Sequence, residues 1–223
     1  MQRSLIVTED GSHSLYAPQF HQSYHSIHGA VQESEHIFIQ AGLMCEHLSS
    51  YQHLNILEVG LGTGLNALLT WYHSSQKNID YHAIELYPLQ EQEYTMLNYA
   101  GSLPHPETQR VFIRMHQALW NVSQPITPNF TLSKLQADLS TISLPENTYH
   151  LVYFDAFSPQ EQPELWTEKI FEKIYYAMLP QCVLVTYSTM GVVKRALKSV
   201  GFEIEKLPGP KGKREILRAF SVK

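Results

Sequence analysis

An acid and three alternating glycines follow an apolar segment in the first third of the chain. Residues 54–57 are apolar except for Asn55, Glu58 follows them, and glycines occupy positions 60, 62 and 64. Glycine permits backbone angles and a close ligand approach that any side chain would block. Residues 65–69 then have a helical pattern. The segment therefore predicts a strand, a glycine turn and a helix that together bind a nucleotide-like cofactor.

The glycine spacing and the acid narrow the choice of cofactor. A dinucleotide-binding turn has the pattern Gly-x-Gly-x-x-Gly and would need glycine where the chain has Leu65. Glu58, just before the turn, would also repel a pyrophosphate. A ligand that carries an amino group or a sulfonium tolerates such an acid. S-adenosylmethionine matches that description.

Further acids end other predicted strands. Residues 79–84 read as a second strand that ends at Glu85, about 20 residues beyond the glycines, where an acid typically holds ribose hydroxyls. The alternative for Glu85 is an acid at a helix N-terminus before Pro88. Asp138 and Asp155 end two later strands. Ligands of such sheets bind at the carboxyl ends of the strands, so four acids on one rim favour a cationic ligand.

Asp138 has two interpretations. Its carboxylate is suitably placed to accept a hydrogen bond from an adenine amino group. It also begins the sequence Asp-Leu-Ser, which is typical of an ordinary loop.

Composition limits the class of protein. The 223 residues, 43% of them hydrophobic, predict one large domain or a domain with a small appendage. Cys45 and Cys182 are too few for a disulfide framework or a zinc site, which favours a reducing cytoplasm. The first ten residues do not resemble a secretion signal, and no apolar run reaches the ~20 residues of a membrane span.

Charge is distributed unevenly along the chain. The net charge is −5, yet residues 194–223 hold nine of the 16 Lys and Arg residues and only three of the 21 acids. Such asymmetry favours a polyanion-binding face on an acidic body. A solvated helix face with a charged loop is the alternative interpretation.

Strands alternate with helices along the chain, which predicts a doubly wound α/β sheet. We expect a hairpin over residues 4–17 and an irregular, histidine-rich segment at 18–29. Strands are expected at residues 55–59, 79–84, 130–136, 149–154, 182–187, 202–207 and 215–220, the last two antiparallel. Helices are expected at residues 30–47, 65–72, 89–99, 107–120, 165–178 and 191–200. Residues 1–50 would be an extension packed on a core of residues 51–223.

Several short motifs together resemble one family, the methyltransferase domain of MnmC. They include residues 58–66 (EVGLGTGLN), 85–89 (ELYPL), 155–159 (DAFSP), 163–166 (PELW), 186–188 (TYS) and 213–215 (KRE). Similar residues early in the chain are Tyr24, Ser26, Gly29 and Glu33. The motifs run through nearly the whole sequence in family order.

The resemblance implies a Rossmann-like methyltransferase fold with a mostly parallel sheet, an antiparallel C-terminal strand and a small N-terminal hairpin. It implies S-adenosylmethionine as donor and the wobble uridine in the tRNA anticodon loop as acceptor, whose 5-aminomethyl group would be N-methylated. The residues expected to bind the cofactor are Glu58, Gly60, Gly62, Thr63, Gly64, Asn66, Glu85, Leu86, Asp138 and Leu139.

The acceptor side is assigned on the same basis. Asp155 would orient the amine and possesses the oxygens to take its proton, and Phe157 would form a platform for the uracil ring, with core packing as its alternative. Tyr24 and Ser26 would line the pocket. Phosphates would contact Lys194, Arg195, Lys211, Lys213 and Arg214.

The chain length leaves no room for the FAD-dependent oxidase domain of many family members. We therefore expect a stand-alone methyltransferase, and a separate protein that supplies the aminomethyl group. His21, His25 and His28 are too loosely spaced, and too poorly accompanied, to predict a metal site.

Two other functions are compatible with this sequence. An aminopropyltransferase of the spermidine synthase kind would share the fold, and an acid-rich rim would suit a polyamine. A non-catalytic tRNA-binding protein on the same fold is the second alternative.

Overall fold

The computed structural model describes residues 3–223, and it begins with a small antiparallel sheet. The sheet consists of β1 (Ser4–Val7), β2 (His13–Ala17) and β3 (Gln22–Ser23) in that order. The expected hairpin is confirmed. The third strand is an addition, because a two-residue strand leaves no alternation for a sequence pattern to reveal.

The main sheet has eight strands in the order β10-β11-β9-β8-β4-β5-β7-β6. Five central strands are parallel, and β6, β10 and β11 pair antiparallel with their neighbours. The bounds are β4 (His53–Val59), β5 (Asn78–Glu85), β6 (Ser123–Thr127), β7 (Phe130–Gln136), β8 (Tyr149–Phe154), β9 (Met178–Thr186), β10 (Phe202–Pro208) and β11 (Glu215–Ser221). The expected α/β class and its antiparallel C-terminal pair are confirmed.

Helices cover both faces of this sheet. They are α1 (Ala30–Ser34), α2 (Leu65–His73), α3 (Glu91–Tyr94), α4 (Thr108–Gln117), α5 (Glu168–Ala177) and α6 (Gly191–Ser199). One apolar core joins α1, α2 and α4 to the sheet, and a second core joins α5 and α6 to its other face. Burial on both faces explains why β8, fully buried along its length, reads as an almost continuous apolar run.

Three elements differ from the sequence prediction. The helix expected over residues 30–47 continues from α1 as a π-helix over Glu35–Leu43 and ends there. The helix expected at 89–99 is only α3, followed by a 3-10 turn at Tyr99–Ser102. Strand β6 was missed because Pro125 suggests a break. An edge strand tolerates proline, and the pairing register of β6 shifts at that residue.

The N-terminal sheet is fastened to the segment that follows β5. Buried Arg3 donates to the Glu93 carboxylate at 2.9 and 3.1 Å, and to the Tyr87 carbonyl at 2.5 Å. His13 N–H donates to Asn98 Oδ1 at 2.8 Å. These bonds hold the small sheet over the carboxyl ends of the parallel strands.

Among residues 3–223, no helix is both long and apolar enough to span a bilayer.

Candidate active site

A cavity of about 300 Å³ lies where the parallel strands end. Its walls come from the ends of β4, β5, β7, β8 and β9 and from the β10–β11 connection. The N-terminal unit, by which we mean residues 3–50, forms the remaining wall. The N-terminal contribution is a run of residues, 22–26, together with Glu33 from α1. Asp155 and Phe157 line this cavity. So do eleven other residues assigned to the site from the sequence: Tyr24, Ser26, Gly60, Gly62, Thr63, Asn66, Glu85, Leu86, Asp138, Leu139 and Lys213.

The glycine turn is compressed between two neighbours. Gly60 has φ +88°, and a Cβ there would lie 2.6 Å from the backbone oxygen of Asp155. Gly62 has φ +50°, and its Cβ would lie 2.8 Å from the Tyr24 ring. A side chain at either position would therefore strain the turn and collide with a wall of the cavity.

Glu85 braces this turn. Its Oε2 accepts a hydrogen bond from Gly62 N–H at 2.9 Å, and its Oε1 accepts one from Tyr87 N–H at 2.7 Å. Glu85 is the last residue of β5, and α3 begins only at Glu91, so it is not a helix N-terminal acid. The carboxylate is half-buried and faces the cavity, in the position expected of a ribose-binding acid.

Two histidines from outside the turn hold Thr63. His25 Nε2 lies 2.7 Å from Thr63 Oγ1, and His116 Nε2 donates to the Thr63 carbonyl at 3.1 Å. Burial lowers the pKa of His25 to about 4 and that of His116 to about 3, so both rings are neutral near pH 7. The sequence did not indicate this role of the two histidines.

Within residues 3–223, no group of three or more His, Cys, Asp or Glu side chains is arranged to hold a metal.

Glu58 lies behind the cavity wall. Its side chain is fully buried, and its Oε1 accepts from Asn66 Nδ2 at 2.9 Å. Burial raises the pKa of Glu58 well above its usual value and favours the neutral acid. The expectation that Glu58 is a charged residue of the rim is therefore wrong; it orients Asn66 instead. Gly64 likewise lies outside the lining, against His116.

Asp155 shares Asn66 with Glu58. Asn66 Nδ2 also donates to Asp155 Oδ2 at 2.8 Å, so one amide bridges the two acids. Burial, together with the nearby Glu33, raises the pKa of Asp155 to about 7, although the Asn66 hydrogen bond and the Lys213 charge act in the opposite direction. A carboxyl group with such a pKa can exchange a proton at physiological pH.

Side chains hold the backbone of the loop that follows β8. This loop, residues 155–158, also begins with a hydrogen bond from Asp155 N–H to the Val59 carbonyl at 2.9 Å. The side-chain bonds are Gln162 Oε1 to Phe157 N (3.2 Å), Trp166 Nε1 to Phe157 O (2.8 Å), Tyr187 Oη to Ala156 O (2.8 Å) and Gln22 Oε1 to Ser158 N (3.0 Å). The loop is thus fixed before any ligand binds, which favours a catalytic role.

Phe157 belongs to an aromatic cluster. Phe20 stacks on it with ring centroids 4.2 Å apart and planes inclined by 22°, and the Tyr24 ring meets it edge-on at 5.1 Å. One face of Phe157 is therefore already covered by the N-terminal unit. The ring is packed against aromatic neighbours, as the core interpretation expects, and it also lines the cavity; its role as a platform for uracil stays a prediction.

Asp138 makes a loop hydrogen bond and also lines the cavity. Its Oδ1 accepts from Ser140 N–H at 2.8 Å, which is the ordinary loop interaction, and the residue lines the cavity beside Leu139 and Ala137. The site can therefore offer this carboxylate to a ligand amino group.

The basic residues assigned to phosphate binding do not stay together. Lys213 lines the cavity and pairs with Glu33 at 3.0 Å. Lys211 pairs with Glu9 at 2.7 Å on the surface. The remaining three, Lys194, Arg195 and Arg214, lie outside the cavity lining.

Comparison with known proteins agrees with this geometry. Residues 115–221 match the family model described as S-adenosyl-L-methionine-dependent methyltransferase. A protein of Nitrosospira multiformis is 31% identical over 215 residues, which cover 92% of this chain and 35% of that protein. A protein of Azoarcus sp. is 28% identical, covering 96% of this chain and 35% of its own length. Both are named tRNA 5-methylaminomethyl-2-thiouridine biosynthesis bifunctional protein MnmC.

Solved structures agree in fold. MnmC2 from Aquifex aeolicus superposes with a TM-score of 0.81 at 23% identity, covering 99% of this chain and 70% of that one. Spermidine synthase from Thermotoga maritima gives a TM-score of 0.56 at 13% identity, covering 99% and 72%. At these identities the likeness concerns the fold alone.

The fold, the glycine turn and the matched family define an S-adenosylmethionine-dependent methyltransferase. Within that class the chain is similar to one part of the MnmC proteins of Nitrosospira multiformis and Azoarcus sp.. It spans about a third of the length of the curated relatives it matches.

Proposed function

We propose that this methyltransferase transfers a methyl group to the 5-aminomethyl group of the tRNA wobble uridine, giving 5-methylaminomethyl-(2-thio)uridine. The observation that carries the proposal is Asp155, a carboxyl group with a pKa near 7 in an acid-lined cavity beside the glycine turn. The names of the MnmC relatives support the same reaction.

The cavity residues fit S-adenosylmethionine. The turn at residues 60–64 leaves room that a Cβ at Gly60 or Gly62 would fill, Glu85 suits the ribose, and Asp138 suits the adenine amino group, with Leu86 and Leu139 beside it. When bound, the cofactor would supply an electrophilic methyl group on its sulfonium, and the sulfonium would become a neutral thioether leaving group. The acidic lining favours such a cationic ligand.

Asp155 acts on the acceptor. A primary amine is mostly protonated in water and must lose a proton before its lone pair can react. The Asp155 carboxylate accepts that proton and aims the nitrogen, since its own position is fixed by Asn66 and by the rigid loop. We assign Tyr24 and Ser26 to the wall that confines the base.

Exposed basic side chains near the β10–β11 connection would contact tRNA phosphates. Arg195, Lys198 and Arg214 are exposed and Lys194 is half-buried, and none of them forms an ion pair within residues 3–223. A tRNA acceptor would place the protein in the cytoplasm. The primary amine must be formed beforehand, by an activity other than methyl transfer.

The test is an assay with purified protein, tRNA that carries 5-aminomethyluridine, and isotopically labelled S-adenosylmethionine. We expect the labelled methyl group on the wobble nucleoside, detected by mass spectrometry after digestion, and none on tRNA that lacks the aminomethyl group. Transfer of an aminopropyl group from decarboxylated donor to a polyamine would instead support the alternative suggested by the fold and the acidic lining. Absence of binding to either donor would favour a non-catalytic protein.

A further inference from the structure

A partly buried ion pair lines the cavity. Glu33 of α1 is 9% exposed, and its Oε1 lies 3.0 Å from Lys213 Nζ. Its Oε2 accepts a hydrogen bond from Ser26 N–H at 2.8 Å. Both residues of the pair line the cavity with Asp155, although neither belongs to the strand that carries it.

Lys213 is held at a defined place. Its ammonium lies 4.8 Å from the centre of the Tyr187 ring, and the Tyr187 hydroxyl donates to the Ala156 carbonyl, next to Asp155. Among the described residues that line the cavity, Lys213 is the only Lys or Arg. The acids of the lining are Glu33, Glu85, Asp138, Asp155 and Glu164.

We propose that Glu33 and Lys213 are positioning residues which balance the ionisation of Asp155 and so control its capacity to take the acceptor proton. This role replaces the phosphate contact expected of Lys213 from the sequence. The inference rests on the proposed function, because it assumes that the acceptor is an amine.

Every charged or titratable group around Asp155 enters this balance. Glu33 faces it from α1, Glu58 from β4, Tyr81 from β5, Tyr187 from the segment after β9 and Lys213 from the β10–β11 connection. Asn66 of α2 donates to it, and Glu85 lies on the same cavity. Burial of Glu58 and the two tyrosines favours their neutral forms, so the charges that act on Asp155 come from Glu33 and Lys213.

The proton step that the pair controls is balanced in atoms and charge. An N–H bond of the acceptor ammonium breaks and its electron pair stays on nitrogen. An O–H bond forms on Asp155. An ammonium and a carboxylate become a neutral amine and a carboxylic acid, and Asp155 later releases the proton to solvent.

The test uses two variants with opposite expected effects. Lys213→Met removes the positive charge, so the pKa of Asp155 should rise. The ascending limb of the plot of kcat/KM against pH should then shift to higher pH by roughly 1 pH unit. Glu33→Gln removes the negative charge, so the pKa of Asp155 should fall and the ascending limb should shift to lower pH. A general loss of structure would not produce shifts of opposite sign.

A second readout needs no tRNA. Carbon-13 NMR of Asp-labelled protein follows the Asp155 carboxyl during a pH titration, with Asp155→Asn to identify its signal. The matched control is Lys206→Met, which removes the same charge from the exposed Lys206–Glu215 pair on β10 and β11, outside the cavity lining. We expect opposite shifts in the two pair variants and none in the control.

Shifts of the same sign, or none, would overturn the inference in either readout. Inactivity of the wild type toward aminomethyl tRNA would count against the proposed function alone, because the NMR titration still reports on the pair. Circular dichroism of each variant checks that it is folded.

Discussion

The chemistry of Asp155 depends on its three polar neighbours. Asn66 ties it to a neutral buried Glu58, while Glu33 and Lys213 act on it with opposite charges. Burial makes such interactions strong, because few water molecules screen them. A carboxylate at the same place in the sequence but exposed to solvent would keep an ordinary pKa and would be a weak base at pH 7.

Asp155→Asn should abolish methyl transfer while the cofactor still binds. The amide keeps the size of the side chain but cannot take a proton, and we expect a loss in kcat of ~100-fold or more. Single-turnover assays measure transfer, and calorimetry measures donor affinity. Turnover near that of the wild type would rule out Asp155 as proton acceptor.

Glu85→Ala should weaken donor binding. The substitution removes the hydrogen-bond acceptor proposed for the ribose, which should cost about 1–3 kcal/mol of binding free energy, or roughly 5- to 150-fold in Kd. It also leaves Gly62 N–H without its partner, which lowers stability. Titration calorimetry at constant pH gives the affinity. The matched control is Glu91→Ala, an exposed acid in the first turn of α3 outside the cavity lining. Equal affinities for Glu85→Ala and wild type would remove the ribose assignment.

At the scale of elements, strand ends and one tight turn build the site. The ends of β4 and β8 approach so closely that Gly60 touches the backbone of Asp155. The turn therefore positions the cofactor side and the acceptor side of the cavity relative to each other. Four side chains fix the loop after β8 from different elements.

Gly60→Ala should impair both halves of the reaction. The added methyl group would meet the Asp155 carbonyl at 2.6 Å and require a strained φ, so the two strand ends must separate. We expect weaker donor binding, a lower kcat and a reduced melting temperature. Gly101→Ala is the matched control, because its Cβ would meet no atom within 4 Å. Behaviour of Gly60→Ala like that control would show that the turn tolerates a side chain.

Sequence patterns predicted strands better than the details of helices. Strands β7 and β8 were placed at their observed bounds, because buried apolar runs between turn residues are distinctive. The π-helical continuation of α1 is apolar over most of its length, as a buried α-helix would be, so its sequence does not indicate the wider turn. The brevity of α3 follows from packing that local propensity does not encode.

The site was predicted where one segment carried the motif and missed where distant segments meet. Gly60, Glu85 and Asp155 each follow a recognisable strand, and the rule for strand ends brings them together. Glu33, His25 and Gln22 come from the N-terminal unit, whose placement over the cavity depends on tertiary contacts such as Arg3–Glu93. Glu58 was misassigned because an acid next to a glycine turn does not reveal which way its side chain points.

For the whole molecule, charge is sorted between the cavity and the surface. Several basic residues of the C-terminal segment are neutralised by acids: Lys206 by Glu215, Lys211 by Glu9, Lys213 by Glu33 and Arg218 by Glu205. The basic set left for a polyanion is Lys194, Arg195, Lys198 and Arg214. The first three lie on α6 and Arg214 lies in the β10–β11 connection, which also supplies Lys213 to the cavity. This placement is consistent with a tRNA that inserts one nucleotide into the cavity.

Replacing two residues of this basic set, Arg195 and Arg214, by Glu should weaken tRNA binding and flatten its salt dependence. Each lost phosphate contact lowers the slope of log K against log salt by roughly 0.7–0.9. Filter binding between low and moderate salt gives the slope. Exposed Arg110→Glu on α4, which packs on the other face of the sheet from α6, is the control. An unchanged slope in the double variant would locate the tRNA contact elsewhere.

Gly42, in the π-helical stretch, lies so close to the sheet that a Cβ there would come within 3.1 Å of Tyr153 and Val185. The continuous helix over residues 30–43, which carries Glu33, is thereby pressed onto β8 and β9 without an intervening side chain. A larger side chain at Gly42 would push the helix away from the sheet and move the Glu33 carboxylate with it. Mutations at this helix–sheet contact would therefore change the reactivity toward the acceptor, although the mutated residues touch neither the donor nor the tRNA.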